Sequence, residues 1–183
     1  FLATFYFAAN AQSGCTDPNA PNYDPGATIN DGSCNYGNTN YTPVLKTLLS
    51  DTVQETSGLM YWDGLLWTHN DSGGSTDLFA VDTTNGTIVR KVTISGVSNV
   101  DWEDIARDEE YGYIGDFGNN NGNRTDLKIY KFALEDLEEE SLTAEVISFN
   151  YPDQADFSSR PQNHNFDAEA LIAYGDSLYI FSK

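Results

Sequence analysis

The residues best able to do chemistry in this chain are carboxylates set in one short, recurring pattern. Asp101-Trp102-Glu103-Asp104-Ile105 is echoed by Glu55-Thr56-Ser57-Gly58-Leu59 and by Asp167-Ala168-Glu169-Ala170-Leu171. Each copy opens on an acid, closes on Leu or Ile, and is followed by an aromatic in the next apolar run: Trp67, Tyr113 and Tyr179. Side chains alternate along a strand, so Asp101, Glu103 and Ile105 are expected on one face, with Trp102 and Asp104 opposite. If the three strands lie side by side, their acids converge at one end. Like charges gathered in that way raise a pKa or call for a cation. The candidate metal ligands are therefore Glu55, Asp101, Glu103, Asp116, Asp167 and Glu169. A structural reading stands beside this one: each acid caps its own turn, or pairs with Arg107, Arg124, Arg160 or a backbone amide.

The elements that must position these acids are short strands. From Leu45 onward, apolar runs are separated by turn signals such as Trp62-Asp63-Gly64, Ser72-Gly73-Gly74, Asn85-Gly86 and Gly175-Asp176. Asn-Gly and Asp-Gly adopt positive φ at little cost and mark hairpins. No stretch keeps a helical period for three turns, and the acidic run 135–140 reads as a solvated loop or a single turn. The chain is expected to be all-β. Strands at 57–61, 65–69, 78–81 and 88–94 form a first unit. Strands at 103–107, 111–116, 127–132 and 145–149 form a second, and those at 169–173 and 178–181 begin a third. Four short antiparallel strands in about forty to fifty residues is the size of a propeller blade. The expectation is thus a partial β-propeller of about two and a half blades, from a ring of about six, because closed propellers have roughly four to eight. On that reading the chain is cut at its C-terminus. An open β-sandwich of the same strand content is the alternative.

Composition bounds the partners. The net charge is −19, from 28 acids against nine Lys and Arg. With no basic face, nucleic-acid binding is excluded as an expectation. Aromatics make up 13% of the chain, enough to separate it from disordered acidic sequences and to supply a core. Beyond the first dozen residues no segment is long and apolar enough to span a membrane.

Residues 1–11 read as a signal-peptide remnant. An apolar run to Ala8 is followed by the small-x-small Ala9-Asn10-Ala11, with Gln12 as the expected mature start. This predicts an exported protein, secreted or held at the cell surface. Residues 12–35 form a Pro/Gly/Asn/Asp-rich segment bracketed by the only two cysteines, Cys15 and Cys34. In an exported protein these most simply pair. Asp17, Asp24 and Asp31 are hard oxygen donors of the kind calcium takes, but the spacing is not that of an EF-hand loop. A calcium site and a metal-free stapled turn are both open. Residues 36–44 read as a linker, and 45–183 as the propeller fragment.

Two resemblances follow from these residues. Gly14-Cys15-Thr16-Asp17, Asn22-Tyr23-Asp24-Pro25 and Asp31-Gly32-Ser33-Cys34 resemble a short repeat of secreted proteins from marine Bacteroidota, departing from it at Pro21. The three acidic motifs, with His69-Asn70-Asp71-Ser72-Gly73 and Gly115-Asp116-Phe117-Gly118-Asn119-Asn120, are similar to secreted bacterial propellers of the SdiA-regulated and esterase-like-phytase groups. That resemblance covers roughly residues 50–183. It implies fold and export rather than a reaction, since one fold hosts many functions.

Two functions are therefore expected in competition. One is a calcium-stabilised binding or adhesion module whose axial mouth takes a glycan, a protein or a small-molecule ester. The other is a metal-dependent ester or phosphoester hydrolase. There the clustered acids would hold the metal, His69 or His164 would move protons, and Arg124 and Arg160 would hold phosphoryl oxygens. Asp71-Ser72-Gly73-Gly74 lacks the Gly-x-Ser-x-Gly elbow of a serine nucleophile. His69 and His164 lack the short Cys/His spacing of zinc sites. No Lys-Ser/Thr follows the Gly-rich stretch 115–123 to make a phosphate loop.

Overall fold

Short apolar runs punctuated by Gly, Asn and Asp fold as strands and turns throughout the computed structural model, which describes residues 11–183. The expected signal remnant lies, apart from Ala11, outside the described residues. The chain divides into two compact units, Phe1–Val44 and Leu45–Lys183.

In the first unit, β1 (Ser13–Gly14) and β2 (Ile29–Asn30) form a parallel pair of two residues each. The rest is turns made by Asp and Asn side chains. Asp17 accepts the Asn19 N–H at 2.8 Å, Asp24 that of Gly26 at 2.8 Å, and Asp31 that of Ser33 at 3.0 Å. Such bonds, reaching two residues along the chain, stand in for a core that the segment lacks. Cys15 and Cys34 are disulfide-bonded, as their bracketing of the segment predicts. Closing a loop of this length restricts the unfolded chain by roughly 3 kcal/mol.

The second unit is all-β apart from one 3-10 turn. A five-stranded sheet contains β3 (Thr56–Trp62), β4 (Leu65–Asn70), β5 (Asp77–Asp82) and β6 (Ile88–Ser95), joined by the later β10 (Ser141–Thr143). A four-stranded sheet contains β7 (Trp102–Arg107), β8 (Tyr111–Asp116), β9 (Lys128–Ala133) and β11 (Glu145–Ser148). β12 (Ala168–Tyr174) and β13 (Ser177–Ser182) form a hairpin. The first and second sheets enclose a core of Met60, Trp67, Leu78, Val92, Trp102 and Ile114. Between the second sheet and the hairpin lies another, built on Tyr113, Phe117, Ile129 and Leu171.

The first strands of the three sheets lie together, with β7 against both β3 and β12. Arg107 Nε donates to the Tyr61 carbonyl at 2.8 Å, and the Leu171 N–H donates to Asp104 Oδ2 at 2.7 Å. At Gly58 the two backbones come so close that a Cβ would collide with the Ile105 nitrogen. No closed ring is present among the described residues, and the sheets have five, four and two strands.

The acidic run takes one of its two expected forms, a single turn between strands: Leu134–Glu138 is 3-10 and buries Leu134 and Leu137. Two other expectations need correction. The chain then adds β10 to the first sheet, parallel to β6, so that sheet has five strands rather than four. The strict alternation expected of Asp101–Ile105 also fails. Trp102 pairs with Asp116 but Asp104 pairs with Gly115, which leaves Glu103 as an extra residue in a bulge. The bulge brings Ile105 into the same core as Trp102. Equivalent shifts occur between Thr56 and Leu59 in β3 and between Ala168 and Ala170 in β12. Each copy of the acidic motif is therefore a β-bulge, a device that kinks a strand and re-aims a side chain.

Candidate metal centre

The heads of the first strands hold the site. Asp71, Asp101 and Glu103 each offer a carboxylate oxygen, and the three lie within 4.8 Å of one another. Asp101 stands at the entry to β7 and Glu103 in its bulge, while Asp71 follows β4. Five hydrogen bonds fix this arrangement. The Asn99 side-chain amide donates to the carbonyls of Asn70 (3.1 Å) and Asp71 (2.9 Å) and its oxygen accepts the Trp102 N–H (3.3 Å), tying the loop after β4 to β7. The Asp101 N–H donates to Asp116 Oδ1 at 3.1 Å. The Gly118 N–H in turn donates to the Asp101 carbonyl at 3.2 Å.

Gly118 forms the floor. A Cβ built there would overlap both Glu103 Oε1 and Asp101 Oδ2, so only glycine lets the carboxylates rest on this backbone. Burial, reinforced by the charges of Glu169, Asp101 and Asp71, pushes the Glu103 carboxyl up to about 8. Burial and the neighbouring Asp71 also raise Asp101, against an opposing pull from Arg124. All donors are hard oxygens, the chemistry of calcium or magnesium rather than zinc.

Searched against models of known protein families and against the curated proteins, the chain finds no match. The site is therefore read from its geometry.

The remaining sequence candidates occupy other environments. Asp116 is fully buried and accepts from Arg124 Nη2 (3.0 Å) and the Tyr130 hydroxyl (3.3 Å), so it supports the site from beneath. Asp167 accepts the Asn119 N–H at 2.6 Å. Lys183 Nζ lies 3.2 Å from Asp167 Oδ2, an ion-pair distance without hydrogen-bond alignment, and also contacts Glu169. Glu55 lies outside the trio, exposed at positive φ, and its carbonyl accepts the Asp71 N–H at 3.1 Å. Asp17, Asp24 and Asp31 serve their own turns and form no carboxylate cluster with one another.

Arg124 donates to Gly118 O (2.8 Å), Asp116 and Asp126, fastening the loop that carries Gly118. Arg160 donates to the Asp156 carbonyl at 3.0 Å. His69 is wholly buried, edge-on to Trp102, with Nδ1 3.1 Å from the Asn70 carbonyl. Burial lowers its pKa and keeps it neutral. His164 Nδ1 accepts the Phe166 N–H at 3.1 Å and Nε2 faces the Asn120 carbonyl at 3.3 Å. Both histidines thus serve loop backbone.

Asp71 is the residue that sequence reasoning missed. Its signal lay in the hairpin register: Thr56 pairs with Asn70, so Asp71 stands level with Glu55 at the same strand ends.

Proposed function

We propose that this is a secreted or cell-surface β-propeller protein whose carboxylate mouth holds a divalent cation of the calcium class and acts as a cation-stabilised binding module. The observation that carries the reading is the convergence of Asp71, Asp101 and Glu103 over a floor that admits no Cβ. A cation would neutralise charges that the fold forces together, and three protein oxygens leave further positions for water or a ligand's oxygen. The propeller reading rests on the side-by-side first strands and on their repeated bulge; a ring closes only when further sheets cover the outward faces of β3 and β12. The disulfide and the resemblances noted above support an extracellular setting.

Calcium titration by calorimetry tests the site. Saturable binding and a chelator-sensitive melting temperature are expected. Asp101→Asn with Glu103→Gln abolishes both, and Gly118→Ala, which removes no carboxylate but displaces those of Asp101 and Glu103 with its Cβ, weakens both. Heat and melting signals unchanged in these variants would remove the site. The hydrolase reading draws on the same open coordination, and turnover of phosphate or carboxylate esters that disappears in the double variant would favour it.

A further inference from the structure

A second recognition feature lies at the other end of the first strands, where the β3–β4 and β7–β8 turns meet. Trp62, Tyr111, Ala133 and Leu134 line a cleft of about 430 Å³ between the first two sheets, together with Glu109, Glu110 and Glu135. Hydrogen bonds tie the walls together. The Leu134 N–H donates to the Glu110 carbonyl at 2.9 Å, joining the β7–β8 turn to the end of β9. Asp108 Oδ1 accepts the N–H groups of Glu110 (2.8 Å) and Tyr111 (2.7 Å), and its Oδ2 accepts the Tyr113 hydroxyl at 2.6 Å.

None of the three glutamates makes an ion pair among the described residues. Arg107, on the same turn, is directed to the backbone oxygens of Tyr61 and Asp108 instead. The cleft thus sets carboxylates around aromatic and aliphatic walls, with no base among its lining residues. Tyr111 already faces one cation of the chain's own, in the neighbouring cleft. Lys131 Nζ sits 3.9 Å from the centroid of Tyr111, on the same aromatic wall that the cleft shares with its neighbour. An ammonium or guanidinium on an alkyl stem matches both halves of the lining, with the stem against apolar carbon and the head between ring and carboxylates.

We propose that this cleft binds an arginine or lysine side chain of a basic peptide or protein partner. It is a site of different chemistry from the carboxylate mouth, which takes a bare cation. Charge complementarity favours this occupant over a neutral sugar or an acidic peptide.

Titration of the whole chain with hexa-arginine and hexa-lysine, in saturating calcium, tests the proposal. Trp67 and Trp102 are buried, so a saturable change in tryptophan fluorescence reports mainly on Trp62. Glu109→Gln, Glu110→Gln and Glu135→Gln together are expected to weaken binding at least about tenfold, because they remove every carboxylate among the cleft's lining residues. All three positions are exposed, so an unchanged melting temperature should accompany the loss. The Asp101→Asn, Glu103→Gln variant is expected to bind within about twofold of the parent, whether or not the trio holds calcium, since the length of β7 sets the two ends roughly 20 Å apart, about twice the Debye length near physiological salt. No saturable binding, equal affinity in the triple glutamine variant, or an equal loss in the mouth variant would each overturn the proposal. The last two would trace the binding to overall negative charge.

Discussion

Glu103 concentrates the tension in the carboxylate trio. Its bulge position removes it from the ladder and sets it beside Asp101 and Asp71, half-buried and facing like charges. The fold keeps its proton up to about 8, whereas the ordinary carboxyl value is 4.5. Between those values the folded state binds more protons than the unfolded one, so stability falls as pH rises. For the metal-free protein, the contribution of Glu103 is fully present below 4.5 and lost as pH climbs through about 8. Thermal melts in chelator should therefore show a melting temperature declining between those limits, with the decline flattened in Glu103→Gln. Calcium should flatten it too, by offsetting the repulsion of the ionised form. An equal decline in the glutamine variant would assign the effect to other groups.

At the scale of elements, the segment between β9 and β11 does more than connect them. Leu134 and Leu137 drive its 3-10 turn into the first core, Arg90 Nη1 donates to the Leu137 carbonyl at 2.8 Å, and β10 then covers the edge of β6. The second repeat thus closes the outer edge of the first sheet, one way in which proteins protect exposed strands. Leu137→Ala should cost about 2–5 kcal/mol, as for other fully buried leucines, measured by denaturant unfolding. Hydrogen exchange at Thr93–Ser95, the residues paired with β10, should accelerate more than at β4. Uniform acceleration across the sheet would show that β10 is not a separately anchored element.

Over the whole molecule, packing leaves a large excess of negative charge uncompensated. A net charge of −19 repels itself, which opposes compaction. Ion pairs among the described residues are few, and several involve the same acids, as Asp116 and Asp126 share Arg124 and Lys128. Sodium chloride raised from about 0.02 to about 0.5 M, with chelator present, should increase the melting temperature because the Debye length shrinks well below the molecular radius. A fall in melting temperature would mean that attractive pairs outweigh the repulsion.

Much of the fold was legible in the amino-acid order. The turn residues and apolar runs place β3–β9 and β11–β13 to within a residue or two, since hairpin chemistry and alternation are encoded over a few neighbours. The pairing of Cys15 with Cys34 was legible as well, with no other thiol to compete. The acidic motif marked the first strands and named Asp101 and Glu103. Tertiary structure alone decided how those acids are used. Alternation cannot announce a bulge, so the side-chain directions at Glu103 and Ile105 came only from the register with β8. Asp71 enters the trio because hairpin pairing and the Asn99 amide bring a distant loop to the head of β7. Whether an acid meets a cation of the chain's own, as Asp116 meets Arg124, or stands among like charges depends on contacts between sheets. Local sequence encodes strand and turn, while the charge environment at their ends is a long-range property that exists only once the sheets have packed.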